Sequence, residues 1–306
     1  FIPPDIINDL DLITRSIEPI KKLFPKWNNL DEAREERVTD IESWDRGALY
    51  IWRGPIEGRE YIIGVDCAEG MGDENDNSCF EVIDQVTCEQ VAEFYSNTCP
   101  PHNFAQILAM VGKQYNHAVI IVESASAGLT VLEKLEHELN YDNIFESAGS
   151  GKQTYKGIKT SKSSRPKFLE TIQTRLINES IAIRSRRLVK ELKGFIWNAQ
   201  TKRAEATKGF HDDAIIALCL ALYARDQRVR QVPAGYEGIT EKEMTESYKL
   251  EIYESVKDEL RRGTPKDWLS EFDDDDDDEP DVTLDIETPE IGHHRRFDKL
   301  FKEFGW

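Results

Sequence analysis

Four carboxylates stand where a carboxylate is costly unless something is bound to it. Asp66 closes a short apolar, β-favouring run of Tyr61, Ile62, Ile63 and Val65, and Glu123 closes a second at residues 118–122. Asp212 and Asp213 open a strongly apolar helical stretch at 211–226. In a mixed sheet, strands that end on the same side bring their terminal side chains together. A helix N-terminus facing that cleft adds its own. Carboxylates gathered in this way repel one another unless cations neutralise them. Two Mg²⁺ or Mn²⁺ ions about 3.5–4 Å apart are a known use of such a cluster. One ion activates water for attack on a phosphodiester and the other stabilises the leaving oxygen. No cysteine or histidine dominates the set, which suits a hard cation better than zinc. His211, beside the pair, is more often a first-turn surface residue than a ligand, and it could also contact phosphate or water there.

The elements that must position these groups are legible as patterns. Strands are predicted at 61–66, 79–84 and 90–95. The first two flank a Gly-rich acidic turn with Glu69, Gly70, Gly72, Asp73, Glu74 and Asp76. Read alone, that stretch fits a hairpin with a solvated turn as well as it fits a cation site. The spacing predicts a helix at 102–115 after Pro100 and Pro101, a buried strand at 118–123, and amphipathic helices at 127–139 and 165–178. Pro166 lies in the first turn of the last of these. A short strand is predicted at 181–183, while 187–197 is ambiguous. Earlier, residues 6–24 have helical spacing interrupted by Pro19, and 48–52 reads as a strand or the end of a connection. The sum is a mixed α/β sheet flanked by helices.

The charge is uneven along the 306 residues, which carry a formal net charge of −19. Residues 231–306 contain 23 acidic and 10 basic residues, including the acidic block at 271–281. Such a block repels itself and reads as a solvated spacer. The aromatic end at 295–306 fits a docking peptide or packing against the body equally well. Positive charge is concentrated at 152–187, which holds ten Lys or Arg against Glu170 and Glu179. Within it, Lys152, Lys156, Lys159, Lys162, Arg165 and Lys167 lie on a polar, Gly- and Ser-containing loop suited to a phosphate backbone. Contacts of that kind position a duplex without reading its sequence. Residues 149–152 imitate the end of a phosphate-binding loop, but Glu146 and Gln153 stand where that motif needs Gly and Ser or Thr. ATP hydrolysis is therefore not expected of this stretch. Five cysteines without a CxxC pair argue against a zinc or disulfide framework, and no apolar run is long enough for a membrane span.

Taken in order, four segments resemble one family. They are VDCAEGMG with D-N-S at 76–78, IIVESASAG at 120–128, the basic loop, and GFHDDAIIALCLAL at 209–222. The resemblance is to the nuclease domain of the large terminase subunit of tailed bacteriophages, over about residues 55–230. It implies an RNase H-like fold related to Holliday-junction resolvases. It also implies a metal-dependent endonuclease, using two ions, that cuts concatemeric double-stranded viral DNA during packaging. Carried over by position, Asp66, Glu123 and an Asp of the HDD motif are the catalytic acids, and Asp212 and Asp213 could each serve one ion. Asp76 matches an auxiliary metal ligand, with Asp73 and Glu74 as rivals. Many relatives have Asn shortly after the equivalent of Glu123, whereas Ala125 and flanking serines stand here.

The resemblance further implies residues 1–55 as a connection to an N-terminal packaging ATPase domain, 56–230 as the nuclease domain and 231–306 as a charged tail. The start at Phe1 fits an excised piece of a longer chain. The implied partners are double-stranded DNA, that ATPase domain, the portal protein and the small terminase subunit, with no membrane, in the cytoplasm of an infected host cell. Two other readings remain: an RNase H-like junction resolvase or ribonuclease, and a docking module of the motor with little activity alone.

Overall fold

The computed structural model describes residues 1–28, 37–43, 48–68, 77–149, 153–161 and 163–229. All of them belong to one unit spanning Phe1–Pro233. The tail at 231–306 and the acidic turn at 69–76, with Asp73, Glu74 and Asp76, lie outside the described residues, as do Lys152 and Lys162.

Helix α1 (Pro4–Ser16) comes first, ending earlier than its apolar spacing predicts. Pro19 disfavours helical backbone at Glu18, and the chain leaves as a strand. Strands β1 (Lys21–Asn28), β2 (Arg37–Ser43) and β3 (Leu49–Ile51) follow, then β4 (Tyr61–Asp66), β5 (Ser78–Asp84) and β6 (Gln90–Ser96). Helix α2 (Pro101–Gln114), strand β7 (Val119–Val122) and helix α3 (Ala127–Glu133) come next, α3 continuing into a π-helical turn over Lys134–Glu138. Small strands β8 (Glu146–Ala148) and β9 (Thr154–Lys156) precede helices α4 (Arg165–Ile177) and α5 (Arg186–Gly194). The hairpin of β10 (Phe195–Asn198) and β11 (Arg203–Ala206) leads to helix α6 (Asp213–Val229).

Seven strands form one sheet in the order β2-β1-β3-β6-β5-β4-β7. Only β7 runs parallel to its neighbour, pairing with β4, and the other pairings are antiparallel. Residues 1–55 therefore supply α1 and three strands of the same sheet, with β3 joined to β6. The segment 181–183 does not form a strand. It makes a single bridge, Ala182 to Glu89, because Ser185 caps α5 immediately afterwards through the Leu188 N–H. The ambiguous 187–197 divides into the end of α5 and β10, an apolar helical stripe followed by extended backbone.

The alternation of side chains along the central strands fixes which groups face which helices. Ile62, Cys79, Ile83, Val119 and Ile121 pack into one core with α4, α5 and α6. The opposite face carries Phe80 and Phe94, which stack with Phe104 of α2 at 5.4–5.9 Å between ring centroids. Gly64 lies on the first face, and α6 sits directly on it. A Cβ at Gly64 would stand 2.0 Å from the Ala217 carbonyl oxygen and 2.4 Å from the Ala221 nitrogen. Glycine in a strand interior commonly marks such a close backbone approach.

Candidate active site

The register of β4 against β7 pairs Gly64 with Ile121 and Val65 with Val122. The next residues along are Asp66 and Glu123, and the Glu123 N–H donates to the Val65 carbonyl at 3.1 Å. Ile62 and Ile121 belong to the core beneath α6. By the two-residue period, Asp66 and Glu123 share that face. Just past Glu123 the chain turns sharply, with Ser126 at φ 41°. Gly128 lets α3 pass close behind, since a Cβ there would lie 1.8 Å from the Glu123 carbonyl oxygen.

Helix α6 delivers the other two acids to the same end. Asp213 is its first residue, and the Asp212 carbonyl accepts from the Ile216 N–H at 2.9 Å. Asp66, Glu123 and Asp212 are half-buried, and Asp213 is buried. Glu123, Asp213 and Asp212 each act electrostatically on Asp66. Burial first, then repulsion from Glu123, Asp213 and Asp212, pushes the Asp66 carboxyl well above the usual carboxylate range, with Arg165 opposing. The helix N-terminus favours negative charge beside it.

Each helix-borne acid has a partner. Asp212 is ion-paired with Arg165, the first residue of α4. Asp213 Oδ2 accepts from both the backbone N–H and the side-chain Nδ2 of Asn77, each at 2.9 Å. His211 Nδ1 is 3.8 Å from Asp213 Oδ2. Among the described residues, no three His, Cys, Asp or Glu side chains are gathered closely enough to hold an ion as they stand. The donor set nevertheless fits a hard divalent cation in kind, being all carboxylate oxygen with repulsion at Asp66 that Arg165 offsets only in part.

The described basic residues divide. Arg165 reaches the acids. Lys156 on β9 is paired with Glu136 at 2.8 Å. Lys159 and Lys167 are exposed. Ile158 bridges to Glu123, so Lys159 follows directly from the backbone beside that acid.

Three residues at the site, Asn77, Tyr95 and Glu191, are not among the candidates read from the sequence. Tyr95 donates its hydroxyl to Glu191 Oε1 at 2.9 Å and accepts from Asn77 Nδ2 at 3.0 Å. Glu191 is buried on α5. Burial, with Asp213 adding, pushes its carboxyl up to about 8, while the Tyr95 hydroxyl and the Ile215 N–H oppose. The available signal was a glutamate on the apolar stripe of Leu188 and Leu192.

Three antiparallel strands in succession, a fourth parallel beside the first, and acids at the ends of that parallel pair under a helix N-terminus define an RNase H-like domain. More specifically, the chain belongs to the terminase RNaseH-like domain family, whose model matches residues 63–225, more than half of the chain. Among solved structures, it is similar to the large terminase nuclease of thermophilic phage G20c with bound magnesium. That likeness has 19% identity and a TM-score of 0.49, covering 59% of this chain and 89% of that one. The large terminase nuclease domain of Thermus phage P74-26 is 18% identical, with a TM-score of 0.48 over 71% of this chain and 93% of that one. No helix among the described residues is long and apolar enough to cross a membrane.

Proposed function

We propose that this domain is a metal-dependent endonuclease that cuts concatemeric double-stranded viral DNA during genome packaging. The observation that carries the reading is the meeting of Asp66, Glu123, Asp212 and Asp213 at one end of the sheet, in a chain of the terminase RNaseH-like family. In this reading the four acids hold two divalent ions, Mg²⁺ or Mn²⁺, with Asp76 as an auxiliary ligand. Such ions supply an activated water for attack on the phosphodiester and charge stabilisation for the leaving oxygen.

The chain's own groups do the rest. Asp66 and Glu123, on adjacent strands, hold their carboxylates at a fixed spacing. Arg165 exchanges the Asp212 carboxylate for a backbone phosphate when DNA arrives. Lys159 and Lys167, together with Lys152, Lys156 and Lys162, meet the phosphates of the duplex. Residues 56–230 act as the nuclease, and the packaging ATPase domain, portal protein and small terminase subunit are its partners in the host cytoplasm.

Cleavage of supercoiled plasmid with Mg²⁺ or Mn²⁺ tests this. Wild type should nick and linearise the plasmid, and EDTA, Asp66→Asn or Glu123→Gln should each reduce cutting to background. Activity surviving both substitutions would overturn the site. Cutting of junctions or RNA–DNA hybrids with intact plasmid would instead favour a resolvase or ribonuclease.

A further inference from the structure

Helix α6 has an unusual cap. Asp212 stands where a capping side chain belongs, but its carboxylate is turned to Arg165. The N–H groups of Ala214 and Ile215 would then be orphaned in a buried setting. Both donate instead to Glu191 Oε2 of α5, at 3.0 and 3.2 Å. Glu191 is only 5% exposed. Its other oxygen, Oε1, accepts from Tyr95, whose hydroxyl accepts from Asn77, whose side chain donates to Asp213 Oδ2. One peptide link, from Asp213 to Ala214, closes the ring. A buried carboxyl group 22 residues before Asp213 in sequence thus holds the first turn of α6 directly and reaches the Asp213 carboxylate through Tyr95 and Asn77.

We propose that Glu191 is a positioning residue for the acid cluster. It caps α6 from a neighbouring helix and, through Tyr95 and Asn77, fixes the orientation of the Asp213 carboxylate. Capping from α5 leaves Asp212 out of the cap, so that both acids of the HDD motif serve the cleft. The functional half of this inference rests on the metal reading of Asp213. The cap itself does not. Partners that orient a ligand in this way are typically worth about 10–100-fold in metal affinity.

The experiment measures Mn²⁺ uptake by calorimetry without DNA, and amide hydrogen exchange across α6, for wild type, Glu191→Ala, Glu191→Gln, Tyr95→Phe and Asp213→Asn. Glu191→Ala should weaken Mn²⁺ binding about 10–100-fold and speed exchange in the first turn of α6 while its later turns stay protected. Glu191→Gln keeps an acceptor oxygen for Ala214 and Ile215 and should restore most of both. Tyr95→Phe guards against a misfolded alanine variant: it removes a single hydroxyl and should weaken Mn²⁺ binding in a protein that still melts cooperatively. Unchanged Mn²⁺ affinity in folded Glu191→Ala and Tyr95→Phe, or unchanged exchange in Glu191→Ala, overturns the proposal. Wild type that takes up no more Mn²⁺ than Asp213→Asn would overturn the metal reading, and with it the functional half of the proposal, leaving the exchange data to judge the cap.

Discussion

Arg165 at the start of α4 is ion-paired with Asp212 at the start of α6, so a side chain of the protein itself offsets part of the acid cluster's charge. On the metal reading, an ion and Arg165 compete for one carboxylate. A partly exposed pair of this kind is worth about 0.2–1 kcal/mol. Arg165→Ala should therefore tighten Mn²⁺ binding by up to about fivefold while weakening DNA binding, read by calorimetry and by duplex anisotropy. Weaker Mn²⁺ binding in that variant would show that Arg165 supports the ions rather than rivals them.

Lys159 and Lys167 are exposed beside this pair in sequence, and Lys159 emerges next to Glu123. Each phosphate contact contributes about −0.9 to the slope of log affinity against log salt. Replacing both with Gln should flatten that slope by about 1–2 for any duplex sequence. A slope equal to wild type would remove the loop from the DNA interface.

How much of this was legible varies with how local the signal is. Asp66 and Glu123 could be read because each ends a run of apolar, β-favouring residues, and a strand's end is a property of its own sequence. Their parallel pairing was not legible, because β5, β6 and α2 intervene between β4 and β7 in the chain. Asn77, Tyr95 and Glu191 could not be read in this way. Their roles come from hydrogen bonds between residues 18 to 136 positions apart, which no local pattern encodes. The N-terminal strands were obscured for a different reason. Strand β1 is held extended by its neighbours in the sheet, β2 and β3, while its first residues continue the helical spacing of residues 6–24.

Glu81 lies opposite Glu93 in the β5–β6 register, and both are fully buried. Gln90 donates to Glu81 Oε2 at 2.6 Å, but Oε1 has no donor, while Arg187 and Ser185 both serve Glu93. Burial and the Glu93 charge raise the Glu81 carboxyl well above the usual range, with Gln90 and Arg187 opposing. The folded state therefore holds a proton that the unfolded chain gives up. Stability from this group is present below its unfolded pKa and is lost as pH rises through the folded one. Glu81→Gln should raise the melting temperature, and by more in alkaline than in acid buffer. An equal shift at every pH would show that Glu81 is ionised in the folded protein.

The contact of α6 on Gly64 sets main chain against main chain, with only the Ala221 Cβ beside the peptide atoms. Asp66 lies two residues along from that contact on the strand, and Asp213 four residues before Ala217 on the helix. The gap between these two acids is thus gauged by peptide atoms, like a jig machined from the frame it serves. Drift in the apolar residues of the core can change how α4 and α5 fill their space without resetting that gauge. A side chain at position 64 would reset it directly.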